Sequence, residues 1–281
     1  MMGRIDNDAL GDRMKQYEAV STSRKAFKGQ PLIARLDGKN FSTFTGGLTK
    51  PYHEGLIKLM QHLTRYLVEE YQATIGYTQS DEITLVFLSK TNDAGELLFD
   101  GRFQKLDSLL AADASVEFNS LIERYLPERN PQLGYTGKKP KFDCRTYIVP
   151  TVMEAYNTVL WRQLDATKNA ISMAAQSCFS YKELHGKNGG EMKKMLLSKH
   201  GIDFDLDYPF HFKRGSFFSR QKMSMPLSEE QLAKMPAHLR ATQENAEFVR
   251  SYTRCSDIDL LTQENPIVAL FGDKVIKPIG E

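Results

Sequence analysis

Two short acidic segments hold the residue types that phosphoryl transfer requires. Arg35-Leu-Asp-Gly38 places Asp37 at the end of an apolar run, and Ser80-Asp-Glu82 places Asp81 and Glu82 just ahead of another. Carboxylates brought together from distant sequence repel unless a cation neutralises them, and hard oxygen ligands suit magnesium. Two Mg2+ ions roughly 3.5–4 Å apart would activate an attacking hydroxyl and stabilise a leaving phosphate oxygen. Gly38 adds a carbonyl that a metal can approach, because no side chain guards it. Gly38-Lys39-Asn40-Phe41-Ser42 offers backbone N–H groups and small polar side chains to a phosphate or base. Lys50, just before Pro51, offers a point charge to a triphosphate. Taken singly, each acidic segment is also an ordinary turn sequence and Lys50 an ordinary solvated lysine. Their placement decides.

The elements around them supply that placement. Pro31 to Asp37 reads as a buried strand, and His53 to Tyr71 carries Leu56, Leu59, Met60, Leu63 and Leu67 at helical spacing. Thr74 to Tyr77 and Ile83 to Ser89 are strands joined by the tight polar link Thr78 to Glu82, hence a hairpin. A second helix covers roughly Arg102 to Tyr125, and Phe142 to Val149 is a fourth strand stopped by Pro150. The order strand, helix, strand, strand, helix, strand is the split βαβ or ferredoxin-like arrangement, an α+β fold. Its first and third strands lie side by side in the centre, so Asp37 should meet Asp81 and Glu82 at one edge. Phe41 and Phe44 read as core, and so do Ile83, Leu85 and Phe87 on strand three.

Beyond Pro150 the pattern turns helical, through Trp161 and Met173 to about Lys182. Gly186 to Gly190 breaks it, Glu191 to His200 is a shorter helix, and His211 to Arg220 is a candidate strand. Ser228-Glu-Glu-Gln231 has the capping-box pattern that starts a late helix. The expected division is a catalytic domain with an N-terminal extension over residues 1–150, and a helical extension over 151–281 that packs on it. Net charge is only +2, so a nucleic-acid surface must be a local patch. The cysteines are odd in number and far apart, which suggests neither a disulfide framework nor a cysteine-based zinc site and suits a cytoplasmic protein. No apolar run approaches the ~18 residues of a membrane span, and Met1 to Asp12 lacks the pattern of a secretory signal.

Several segments together resemble the tRNA-His guanylyltransferase family, which includes guanylyltransferase-like 3′–5′ polymerases of bacteria, archaea and phages. They are Arg35-Leu-Asp-Gly-Lys-Asn-Phe41, Lys50-Pro51, Tyr77-Thr-Gln-Ser-Asp-Glu82, Phe142-Asp-Cys-Arg145, Trp161-Arg-Gln163 with Asp165, and His211-Phe-Lys-Arg-Gly215. The resemblance implies a polymerase-like palm with additional C-terminal helices. It implies that a tRNA 5′-phosphate is activated with ATP or GTP, and that the 3′-hydroxyl of an incoming triphosphate then attacks the activated end. It makes Asp37, the Gly38 carbonyl and Asp81 metal ligands, and Glu82 a catalytic neighbour. Lys50 and Ser80 become triphosphate contacts, within nucleotide-binding stretches that run from Asp37 through Lys39, Asn40, Phe41 and Ser42 and over Ser80 and Asp81. Arg145, Asn169, Lys213 and Arg214 become tRNA contacts, and a homo-oligomer, a tetramer by family analogy, is implied.

This chain departs from the eukaryotic pattern His-Ile-Asn-x-x-x-Tyr-Asn. Thr167 stands at the histidine, Ser172-Met173 replace Tyr-Asn, and Asn169 remains. Lys-Pro-Asn-Asp is Lys50-Pro-Tyr-His53. The expectation is a bacterial or phage-type member without strict selection of histidine tRNA. Two other readings stay open: a nucleotidyl cyclase on a related palm, acting without RNA, and a non-catalytic RNA-binding module on a ferredoxin-like sheet.

Overall fold

The computed structural model describes residues 7–88, 97–226 and 247–272, with the single positions 230 and 234. After the N-terminal helix α1 (Asn7–Thr22), the chain runs β1 (Leu32–Lys39), α2 (Phe41–Phe44), α3 (Glu54–Glu70), β2 (Ile75–Gln79), β3 (Glu82–Phe87), α4 (Phe103–Tyr125) and β4 (Lys141–Ile148). A long α5 (Val152–Cys178) follows, then short helices α6 (Tyr181–Leu184), α7 (Gly189–His200), α8 (Phe204–Asp207) and α9 (Phe210–Arg214). Strands β5 (Ser216–Pro226) and β6 (Glu247–Ser256) and helix α10 (Pro266–Phe271) complete it.

One antiparallel sheet holds the strands in the order β4-β1-β3-β2-β5-β6. Its first four strands are the expected palm, with β1 between β4 and β3. Alternation along each strand sends neighbouring side chains to opposite faces. Leu32, Ala34, Leu36, Ile83 and Leu85 therefore join Leu59, Leu63, Leu67, Leu106, Leu110 and Phe118 in one core under α3 and α4. Ile33, Ile75, Tyr77 and Val86 meet Ala155, Tyr156 and Val159 of α5 on the other face. Local signals start the helices that close each face. His53 Nδ1 accepts the Leu56 N–H at the head of α3, and Thr151 Oγ1 accepts the Glu154 N–H at the head of α5.

The segment after Pro150 differs from its expectation. It is not only helical: β5 pairs with β2 and β6 with β5, so the palm sheet continues through it. The candidate strand over His211–Arg220 splits into α9 and the start of β5. The physical reason lies at the open outer edge of β2. Phe217 and Phe218 are buried there on opposite faces of the sheet, one in each core. Gly215 makes the corner with φ +76, and a Cβ there would lie 2.5 Å from the Thr78 carbonyl oxygen. The capping-box segment Ser228–Gln231 lies mostly outside the described residues. Among the described residues no helix is long and apolar enough to cross a membrane.

Candidate active site

The antiparallel register brings the two acidic segments together. Asp37 lies opposite Glu82 across β1 and β3, and opposite Asp143 across β1 and β4. β2 runs to Gln79 and β3 begins at Glu82, so Ser80-Asp81 is a two-residue turn. Ser80 takes φ 51, a region that non-glycine residues seldom occupy, and its hydroxyl lies 3.2 Å from Asp81 Oδ1. Strain of this kind is tolerated where surrounding structure fixes it, and here it fixes where the Asp81 carboxylate emerges. Burial pushes the Asp81 carboxyl above the usual aspartate range, and the Asp37 carboxylate nearby pushes the same way. Asp37 stays half exposed, with Arg145 Nη2 3.9 Å from its Oδ2.

Gly38 has a packing reason that is independent of any metal. A Cβ there would lie 2.3 Å from the Phe41 ring, which is edge-on to Phe118 and Phe142 in the core. Phe41 is 4% exposed, so its ring is unavailable to a nucleotide and only its main chain remains. Asn40 turns the chain with φ 70, and Lys39 and Ser42 are exposed beside it. Lys50 is exposed on the rim of a cleft of about 470 Å³ lined by Tyr52, His53, Glu54 and Tyr208. Among the described residues nothing links it to the acidic pair.

Glu82 points away from solvent. Arg162 Nε of α5 donates to Glu82 Oε1 at 2.5 Å, and Arg162 Nη2 donates to Asp165 Oδ2 at 2.9 Å. Arg162 is 6% exposed, so this ion pair is desolvated. Burial raises the Glu82 carboxyl, and the hydrogen bond from Arg162 opposes that. A carboxylate committed in this way braces the turn that carries Asp81. The neighbouring Gln163 stitches α5 to the C-terminal segment: its Nε2 donates to the Ile258 carbonyl at 2.6 Å, and its Oε1 accepts the Leu260 N–H at 2.9 Å. Sequence reasoning quoted Trp161-Arg-Gln163 as a match but missed these roles.

The residues assigned to tRNA separate into two groups. Arg145 and Asn169 are exposed, Arg145 beside Asp37 and Asn169 on α5. Lys213 and Arg214 are partly exposed, and both already make contacts within the fold. Lys213 Nζ donates to the Asp205 carbonyl. Arg214 Nε donates to Asp259 Oδ2 at 3.1 Å, and its Nη1 donates to Thr167 Oγ1. Thr167, at the histidine position of the eukaryotic motif, thereby ties α5 to α9.

Among the described residues no cluster of three or more His, Cys, Asp or Glu side chains is placed to hold a metal. Two converging carboxylates beside an unguarded carbonyl are nonetheless a donor set that suits a magnesium ion, which is commonly bound by one or two carboxylates and completed by water and substrate phosphates.

Known proteins match this arrangement. A family model described as Thg1, tRNAHis guanylyltransferase, matches residues 11–150. An uncharacterized protein, R259, of Acanthamoeba polyphaga mimivirus is 30% identical over 240 residues, 78% of this chain and 80% of that protein. A solved bacterial tRNA(His) guanylyltransferase (Thg1)-like protein in complex with ATP is 32% identical with a TM-score of 0.68, covering 75% of this chain and 87% of that one. One in complex with GTP is 26% identical with a TM-score of 0.64, covering 93% and 94%. With these matches and a palm whose acidic turn meets Asp37 across β1 and β3, the chain belongs to the tRNA-His guanylyltransferase family.

Proposed function

We propose that this protein is a Mg2+-dependent nucleotidyltransferase that adds nucleotides to the 5′ end of tRNA in the 3′–5′ direction, after a nucleoside triphosphate activates the 5′-phosphate. The observation that carries the reading is the meeting of Asp37 and Asp81 at the edge shared by β1 and β3. Asp37, Asp81 and the Gly38 carbonyl would hold magnesium, which when bound supplies positive charge to attacking and leaving oxygens. The chain's own residues do the rest by position and charge. Arg145, exposed beside Asp37, holds a phosphate of the RNA end without reading its sequence. The main chain from Lys39 to Ser42 and the Ser80 turn border the triphosphate, and Lys50 is carried as a further triphosphate contact on the family resemblance alone. Glu82 and Arg162 keep the Asp81 turn in place. The reacting 3′-hydroxyl forms its new bond to the activated 5′ phosphorus, and the activating nucleotide leaves.

A homo-oligomer, a tetramer by analogy with the family, and a cytoplasmic setting complete the reading. The cyclase alternative has the same carboxylates but no use for an RNA end. Incubation of a 5′-truncated tRNA with magnesium, ATP and each triphosphate distinguishes them. Growth of the RNA by one nucleotide at its 5′ end is expected. Cyclic nucleotide formed without RNA, and no growth, would favour the cyclase.

A further inference from the structure

Trp161 is the only tryptophan in the chain, and 51% of its surface is open. Large aromatic side chains are usually mostly buried, and one left open beside a polar site is informative. The indole is held by two guanidinium groups, with Arg162 4.4 Å and Arg35 5.4 Å from the ring centroid. Arg162 is itself locked by Glu82 and Asp165. Arg35 sits two residues before Asp37 on β1, hence on the same face of the sheet, and lies opposite Arg145 on β4. The indole therefore borders the face that carries Asp37, Arg35 and Arg145. Along α5, Leu164 and Lys168 follow at helical spacing, both exposed.

We propose that Trp161 is a stacking platform for a nucleobase whose phosphate is held at the Asp37–Arg145 edge. A base offers a flat π-face to the half of the indole surface that stays open, while the two guanidinium groups over the ring fix it so that little order is lost on contact. The flanking cations favour a ligand that carries negative charge beside its flat ring, which describes a nucleotide and not an apolar protein surface. The base comes from the terminal residue of an RNA or from a free triphosphate. The proposal rests on the nucleotidyltransferase reading only in its choice of ligand.

Intrinsic fluorescence of the full chain reports this site directly, since no other tryptophan contributes. Titrations use ATP, GTP, a 5′-phosphorylated RNA oligonucleotide and inorganic tripolyphosphate, with absorbance correction. Ligands that carry bases are expected to quench the emission, and tripolyphosphate is not. Whether the triphosphates or the RNA quench identifies the source of the base. Trp161→Leu should bind that same ligand about 5- to 150-fold more weakly, the equivalent of roughly 1–3 kcal/mol for one stacked base. Trp161→Phe, which keeps a smaller π-face, should recover much of the loss and shows that the leucine effect is not a folding defect. Emission unchanged by either triphosphate or by RNA, at concentrations that saturate turnover, would overturn the proposal. Leucine and parent binding equally well would do so too, as would an emission change that depends on protein concentration alone, which would mark the face as a contact between copies. Tested alongside, 5′ addition separates the two ideas. Addition with a silent Trp161 removes the platform and leaves the function, whereas quenching by bases without any addition does the reverse.

Discussion

At the scale of single residues, Asp81 is a carboxyl held against its own preference. Burial and the facing Asp37 raise its carboxyl above the ordinary aspartate value. A carboxyl raised on folding binds its proton more tightly in the folded state than in the unfolded one. Without metal, it therefore lowers stability as pH rises from below the ordinary aspartate range through the raised value. Asp81→Asn removes that penalty. In chelator, the variant should melt at or above the parent's Tm at neutral pH, and the two should converge in acid, where both side chains are neutral. A variant that melts well below the parent at neutral pH would show that Asp81 is a structural residue. Gly38 teaches the complementary lesson: a residue expected to expose its carbonyl is also required by the Phe41 ring that packs where its side chain would be.

At the scale of elements, the Glu82–Arg162–Asp165 chain joins α5 to the turn between β2 and β3. Breaking a buried ion pair from one side leaves an unpaired charge and costs about 3–5 kcal/mol, whereas replacing both partners costs much less. Arg162→Met and Glu82→Gln should each destabilise strongly, and the double variant by less than their sum. A thermal or denaturant cycle measures the difference. Additive effects would mean that the pair is not coupled and that Glu82 faces the substrate instead. The palm elements were legible in the sequence because their periods are clean: the apolar run of β1 leads into Asp37, α3 carries Leu59, Leu63 and Leu67, and the short polar link Thr78 to Glu82 joins two β-prone runs as a hairpin. Arg162 and Gln163 were not legible as struts, because a polar residue on a helix shows its partner only once the helix has been docked. For the same reason Lys213 and Arg214 read as free cations although the Asp205 carbonyl and Asp259 already engage them. Of the β5–β6 extension only the start of β5 was legible, inside the candidate strand His211–Arg220, because the reason for the rest lies on another element, the open edge of β2.

At the scale of the whole molecule, six strands form one sheet with α3 and α4 on one face and α5 on the other, with Asp37 half exposed and Arg145 exposed at the edge. On the proposed function that surface holds an RNA end by its phosphate, which carries no sequence information. Thr167 spends its hydroxyl on Arg214 and on main-chain carbonyls, where the eukaryotic motif has a histidine. Discrimination is a difference of affinities. The kcat/KM for 5′-truncated histidine tRNA should therefore lie within roughly a hundredfold, about 2.7 kcal/mol, of that for other truncated tRNAs at fixed salt. A larger preference would place a recognition element elsewhere in the chain. The central claim concerns the carboxylate pair, and one measurement tests it most directly: the rate of 5′ nucleotide addition by Asp37→Ala and Asp81→Ala at saturating magnesium, with folding checked by Tm. The account predicts that both variants stay folded and lose at least about a thousandfold in rate, of the order of 4 kcal/mol in transition-state stabilisation. Addition by either folded variant within tenfold of the parent would contradict it.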